Sequence, residues 1–168
     1  MTSFREVFAR RQSFSRVATY AGSAAAVTAA AALGAAAVDP DSRWYKSLRK
    51  PAWQPPSWAF GAVWTPLYLS IAGAAGHALV RTPVGKRSQV AGSLAVNLAL
   101  NAGWNWLFFK AHSPKAALAG TSALVASNAQ LMHQISKHDR AAAVALSPYA
   151  LWCCFATALN ADIVRKNA

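Results

Sequence analysis

The chain has 168 residues, of which 55% are hydrophobic and 13% charged, about half the charged share of an ordinary globular domain. Its 17 Lys and Arg outnumber five Asp and Glu, for a net charge of +12. The cations are scattered in short segments between apolar runs instead of gathering on one face, which argues against a nucleic-acid partner and for cationic loops at a membrane surface.

Residues 1–16 form a basic N-terminal extension with Arg5, Arg10, Arg11 and Arg16 among Phe4, Val7, Phe8 and Phe14. Three readings stay open for it: an interfacial amphipathic helix, an Arg- and Ser-rich transit peptide, and a disordered tail. A secretory signal fits less well, because the apolar run that follows is long enough to span a bilayer. Residues 17–168 read as one membrane domain.

Five uncharged stretches of membrane-spanning length follow, at 17–38, 58–80, 88–109, 116–135 and 141–161. A soluble bundle would carry charged faces at helical period, and these carry none. The expected fold class is therefore all-α integral membrane: a five-transmembrane-helix bundle with a long structured loop, 39–57, between helices 1 and 2. The first stretch is Ala-rich and marginal in transfer energy; close helix contacts at Gly22 and Gly34 are expected to compensate. Nine Lys and Arg fall on one side of the membrane and eight on the other, too even a split to orient the chain.

Loop 39–57 runs into the second span through the stretch at 44–68, WYKSLRKPAWQPPSWAFGAVWTPLY. Trp44, Trp53 and Trp58 are read either as interface anchors or as part of a proline-stiffened lid over one end of the bundle. In the second span, Trp64, Tyr68 and Ile71 share a face, and Pro66 interrupts the backbone ladder.

The third span has two readable faces. Asn97, Asn101, Trp104 and Phe108 line one. Ala91, Ala95, Ala99 and Gly103 line the opposite one, a small-residue row suited to close helix contact. The polar–aromatic face is expected to point inward. The small face is expected to meet another helix, either within the monomer or in a second subunit, and Trp106 near its end would have to clear that partner. Buried amides need partners, so Asn97 and Asn101 either bond neighbouring helices or meet a ligand. In the fifth span Tyr149, Trp152, Ala156 and Leu159 line up, with Ala156 leaving a gap between larger groups and Pro148 fixing the turn where the face begins. Three spans thus each aim a Trp inward. That pattern is either core or the wall of a site for a flat polycyclic ligand.

No nucleophile–base set, glycine-rich phosphate loop, paired carboxylates or metal spacing is present, and no acid lies within a span. A binding protein is expected more than an enzyme, with no required cofactor and no metal. Cys153 and Cys154 read as small buried fillers.

Three motifs in order, WYxxLxKPxWxPPxWxFxxVWTxLY at 44–68, LxxNAGWNWLFF at 98–109 and PYxxWxxFATxLN at 148–160, resemble the TspO family, which includes the tryptophan-rich sensory proteins and the translocator (peripheral benzodiazepine receptor) proteins. The resemblance covers about residues 40–165. It implies a five-helix bundle, commonly a homodimer, with a pocket beneath the first loop that binds protoporphyrin, haem and other hydrophobic polycyclic molecules. It implies that Tyr45, Leu48, Trp64, Asn97, Asn101, Trp104, Trp152, Ala156 and Leu159 belong to that pocket. Tyr68, Phe108 and Tyr149 join them from the inward faces, and Ala91, Ala95, Ala99 and Gly103 are the candidate dimer row. Membrane lipid is the other expected partner, in a bacterial or mitochondrial-type membrane. Light- and oxygen-dependent porphyrin breakdown and sterol- or lipid-linked transport stay open as alternatives. Ala161 stands where the animal sterol motif has an aromatic, although Arg165 remains, and Gly120 replaces an acid that many members carry.

Overall fold

The computed structural model describes residues 4–168, with side chains from Ser15 onward. Apart from Ser15 and Arg16, the side chains on which the three readings of residues 1–16 depend lie outside the described residues. The described residues form helices α1 (Phe4–Ala35), α2 (Arg43–Ser47), α3 (Ser57–Arg81), α4 (Arg87–Asn105), α5 (Pro114–Ser136), α6 (Arg140–Ala145) and α7 (Ser147–Lys166). A 3₁₀ turn at Val84–Lys86 precedes α4, and a π-helical turn at Trp106–Lys110 extends it.

Local chemistry sets most of these boundaries. The Ser113 hydroxyl accepts from the Ala116 N–H at 3.3 Å, and Pro114 opens α5 where its missing N–H costs nothing. Asp139 caps α6 by accepting from the Ala142 N–H at 3.0 Å. The last long stretch breaks at Leu146, whose N–H makes the tighter bond to the Ala143 carbonyl at 3.2 Å. Pro148 is the reason: it offers no N–H to the carbonyl four residues back, and its ring crowds that group.

α1 packs on α3 and α4, α4 on α5, and α5 on α7. The core runs through all of them, with Ile71, Ala78, Leu131, Ile135 and Tyr149 essentially sealed from solvent. Small residues allow the closest approaches. A Cβ on Gly76 would lie 2.5–3.1 Å from three ring atoms of Tyr20, and one on Gly34 would lie 2.9 Å from Nδ2 of Asn105. Gly22, expected in such a contact, opens on free space instead.

Among the described residues, three helical stretches are long and apolar enough to cross a membrane: Ser15–Ala35, Ser57–Arg81 and Arg140–Lys166. The Ala-rich first stretch is one of them. The helices at 87–105 and 114–136 fall short because amides, hydroxyls and His133 interrupt their apolar residues.

The two faces of α4 are disposed as its sequence suggests. Asn97 and Asn101 are buried, while Ala91, Ala95 and Ala99 are exposed and Gly103 is half-buried. Trp106 folds back on α1, where its indole N–H donates to the Leu33 carbonyl at 2.9 Å. Cys153 is buried as expected, but Cys154 is exposed, because consecutive helical positions point about 100° apart and only one can face the core.

Candidate functional site

The segment between α1 and α3 packs across the ends of α4 and α7, and its anchors are specific. The Trp44 ring stacks on His112 with centroids 4.5 Å apart and meets Phe108 edge-on. The Trp53 indole donates to Oδ2 of Asp162 at 3.2 Å. Arg49 and Asn167 exchange two hydrogen bonds, from the Arg49 N–H to Oδ1 at 2.9 Å and from Nδ2 to the Arg49 carbonyl at 3.0 Å. Lys50 sits 3.9 Å above the Tyr45 ring, and Gln54 donates to the Tyr45 hydroxyl at 3.2 Å. Partial burial, with Lys46 close by, holds the Lys50 ammonium below its ordinary pKa. Trp58 is 75% exposed and Trp53 48%, so both turn a face outward, Trp58 the more fully, as an interface anchor would.

Beneath this segment lies a cavity of about 480 Å³. Tyr45 and Gln54 close its upper side. α3 contributes Phe60, Trp64 and Tyr68, the last two stacked one turn apart with centroids at 5.2 Å. The α4 end contributes Trp104, Phe108 and Phe109. Trp104 and Phe108 stack at 5.3 Å, and the π turn sets Phe109 edge-on to both. A π turn inserts a residue into the helical ladder, and here two successive phenylalanines reach one cavity. α7 presents Ala156, Leu159, Asn160 and Ile163, and Ala156 is the gap between the larger groups. Ala31 and Ala35 of α1 complete the wall.

A polar network lies under the floor. The Tyr149 hydroxyl donates to Oδ1 of Asn97 at 2.9 Å and accepts from Nδ2 of Asn101 at 3.2 Å. Nδ2 of Asn97 donates to Asn128 at 2.7 Å and to Ser127 at 3.2 Å. Oδ1 of Asn101 accepts from the Tyr68 hydroxyl at 3.0 Å. Four helices are thereby cross-linked, and the amides of Asn97 and Asn101 avoid an unpaired cost, while Nδ2 of Asn128 finds no hydrogen-bond partner among the described residues. Trp104 is held in the same way: its indole donates to Oδ1 of Asn160 at 3.0 Å, and Asn160 donates to the Pro114 carbonyl at 2.9 Å.

Seven of the residues singled out from the sequence line the cavity: Tyr45, Trp64, Tyr68, Trp104, Phe108, Ala156 and Leu159. Five do not. Asn97, Asn101 and Tyr149 form the network below it. Leu48 packs in the cluster around Phe108, Leu159 and Ile163. Trp152 stacks on Phe155 at 5.0 Å and meets Phe60 edge-on. Sequence reasoning missed Phe60, Phe109, Asn160 and the α1 alanines. Asn160 had a signal, since it lies one turn beyond Ala156; Ala31 and Ala35 had none.

Apolar helices of spanning length packed around an aromatic-walled, ligand-sized cavity define a helical membrane protein. The chain belongs to the TspO/MBR family, which matches residues 23–165. It is 35% identical over 130 residues to the tryptophan-rich protein TspO of Chlorobaculum tepidum, covering 76% of this chain and 82% of that one. It is 37% identical over 132 residues to the translocator protein of Bos taurus (74% and 75%), and 34% identical over 132 residues to the tryptophan-rich sensory protein of Cereibacter sphaeroides (79% and 81%).

Proposed function

We propose that the five long helical stretches all cross the membrane and that the cavity beneath residues 36–56 binds a hydrophobic tetrapyrrole such as protoporphyrin or haem. The cavity itself carries this reading. Its volume of about 480 Å³ lies within the range of small-molecule sites, roughly 300–1,000 Å³, and stacked aromatic pairs on two facing helices suit a flat macrocycle. Trp64 and Trp104 would stack on the ring and Ala156 would leave room for its edge. Tyr45 and Gln54 would close over it, and Lys46, Arg49 and Lys50 would meet its carboxylates. Asn97, Asn101 and Tyr149 act by holding the walls in register.

Protoporphyrin titration of the purified protein, followed by quenching of Trp fluorescence, tests the assignment. Trp64→Ala is expected to weaken binding by about threefold to tenfold, the value of one aromatic contact; unchanged affinity in both Trp64→Ala and Trp104→Ala sinks it. Illumination of the complex separates binding from breakdown, since porphyrin loss that depends on the same tryptophans assigns an enzymatic role. The exposed row Ala91, Ala95 and Ala99, ending at Gly103, is the surface we propose for a homodimer. Ala95→Trp is expected to give monomers by mass measurement in detergent.

A further inference from the structure

The end of the bundle opposite the aromatic cavity carries a second cavity, of about 240 Å³, lined by Ser15, Arg16, Thr19, Val80 and Arg87. Chain direction explains the convergence: the described start of the α1 side chains, the end of α3 and the start of α4 all come to this end. The three apolar stretches read from the sequence begin or end at these positions, so the cavity lies at the level where a bilayer passes from acyl chain to headgroup.

Its two cations are held differently. Arg87 is half-buried, and its guanidinium caps the end of α3, with Nε donating to the Thr82 carbonyl at 3.1 Å and Nη2 to the Val80 carbonyl at 3.3 Å. Those bonds fix the planar group while leaving further N–H donors uncommitted, since a guanidinium carries five. Arg16 is exposed on α1 across from it. The Thr19 hydroxyl is turned to the Ser15 carbonyl at 2.9 Å, so the hydroxyls add polarity without adding charge. Asp139 is the acid at this end among the described residues, and its buried carboxylate lies against other groups. Oδ2 lies 3.0 Å from Nδ1 of His77 and 3.6 Å from Nε of Arg81, and Oδ1 caps α6. Neither lining arginine has an acidic partner among the described residues.

We propose that this cavity binds the phosphate group of an anionic lipid headgroup, held between the fixed Arg87 guanidinium and Arg16. Two guanidiniums around one small polar cavity match the geometry of phosphate oxygens. The headgroup level supplies phosphate at high local concentration, and anionic headgroups attract basic sites most strongly. The site is separate from the tetrapyrrole reading and stands or falls without it.

Native mass spectrometry of the purified full chain, offered phosphatidylglycerol or phosphatidylcholine in mixed micelles, tests the proposal. One phosphatidylglycerol is expected to stay bound preferentially. Arg16→Gln touches no backbone bond described for the fold and is expected to weaken retention by about tenfold, the value of one charge-assisted contact, while Arg16→Lys keeps most of it. Arg87→Lys keeps the charge but loses the two-carbonyl brace, and is expected to fall between them. Equal retention of both lipids, or unchanged retention in Arg16→Gln, overturns the proposal. Displacement of the lipid by millimolar inorganic phosphate overturns the lipid source and assigns the site to a free anion; persistence of the lipid under that competition supports the headgroup.

Discussion

The Tyr68 hydroxyl donates to Oδ1 of Asn101 at 3.0 Å, and that bond joins the wall of the aromatic cavity to the buried network below it. Tyr68 stacks on Trp64 on the same face. Asn101 bonds Tyr149, which bonds Asn97, which reaches Asn128 on α5. The position of a cavity tryptophan is therefore tied to amides that lie outside the cavity lining.

Tyr149 is the node of this network, so Tyr149→Phe strands two amide groups at once. Unsatisfied buried polar groups cost about 1–3 kcal/mol each, although hydrogen bonds measured in membrane proteins average nearer 0.6 kcal/mol. Tyr68→Phe removes one bond at a half-buried position and is expected to cost less. Thermal unfolding in detergent should give a larger drop in Tm for Tyr149→Phe than for Tyr68→Phe. The reverse order would show that the network does not act as drawn.

Asn160→Ala is expected to release the Trp104 indole without removing any stacking surface. With the ring free to turn away from the cavity, protoporphyrin affinity should fall by roughly threefold, less than in Trp104→Ala. The local readout is the indole N–H resonance of Trp104 in Trp-labelled protein. It should shift, while that of Trp106, bonded to the Leu33 carbonyl, stays in place. An unmoved Trp104 resonance would mean that packing against Phe108 alone holds the ring.

Much of this architecture was legible in the sequence because lipid-facing helices advertise themselves by length and absence of charge. The inward faces of α3, α4 and α7 followed from 3.6-residue spacing, which brings Trp64 beside Tyr68 and Trp104 beside Phe108. Spacing does not distinguish a residue that lines a cavity from one that lies a turn deeper, and this is why Asn97, Asn101 and Tyr149 share faces with cavity residues yet sit below them. The π turn at Trp106–Lys110 left no trace, because it is a matter of backbone register. The part of α1 in the wall was invisible for a different reason: Ala31 and Ala35 contribute by being small, and in an Ala-rich helix no alanine stands out. Family membership was legible from the three motifs alone.

Gly76 and Gly73, three residues apart on α3, predict opposite outcomes. A methyl group on Gly76 would enter the Tyr20 ring at 2.5–3.1 Å, whereas one on Gly73 meets nothing within 4 Å. Overpacking of this kind costs about 1–3 kcal/mol, against a helix-propensity gain of up to about 1 kcal/mol for Gly→Ala. Gly76→Ala should lower the unfolding midpoint and Gly73→Ala should leave it level or raise it. Adding Tyr20→Ala to Gly76→Ala should recover part of the loss, a coupling that a double-mutant cycle measures. Equal midpoints for the two glycine variants would mean that Tyr20 swings aside freely.

The tether between Trp53 and Asp162 gives the segment above the cavity a pH dependence. Asp162 follows the last apolar stretch, and its carboxyl is held below the usual carboxylate range, chiefly by the hydrogen bond from Arg165 at 2.6 Å, with the charges of Arg165 and Lys166 and the bond from Trp53 adding to it. A carboxyl whose pKa is lowered by folding contributes stability above its unfolded value, and loses it as pH falls through the lowered folded value. The tether should therefore be intact from neutral pH down to the usual carboxylate range and weaken only below it. Trp53 fluorescence, read in a variant with the other tryptophans replaced by Phe, should be constant from neutral pH to about pH 4 and red-shift in more acid solution. Asp162→Asn keeps an acceptor for the indole but cannot ionise, so its emission should stay flat through the acid range. An acid transition of the same midpoint in Asp162→Asn would place the titrating group elsewhere.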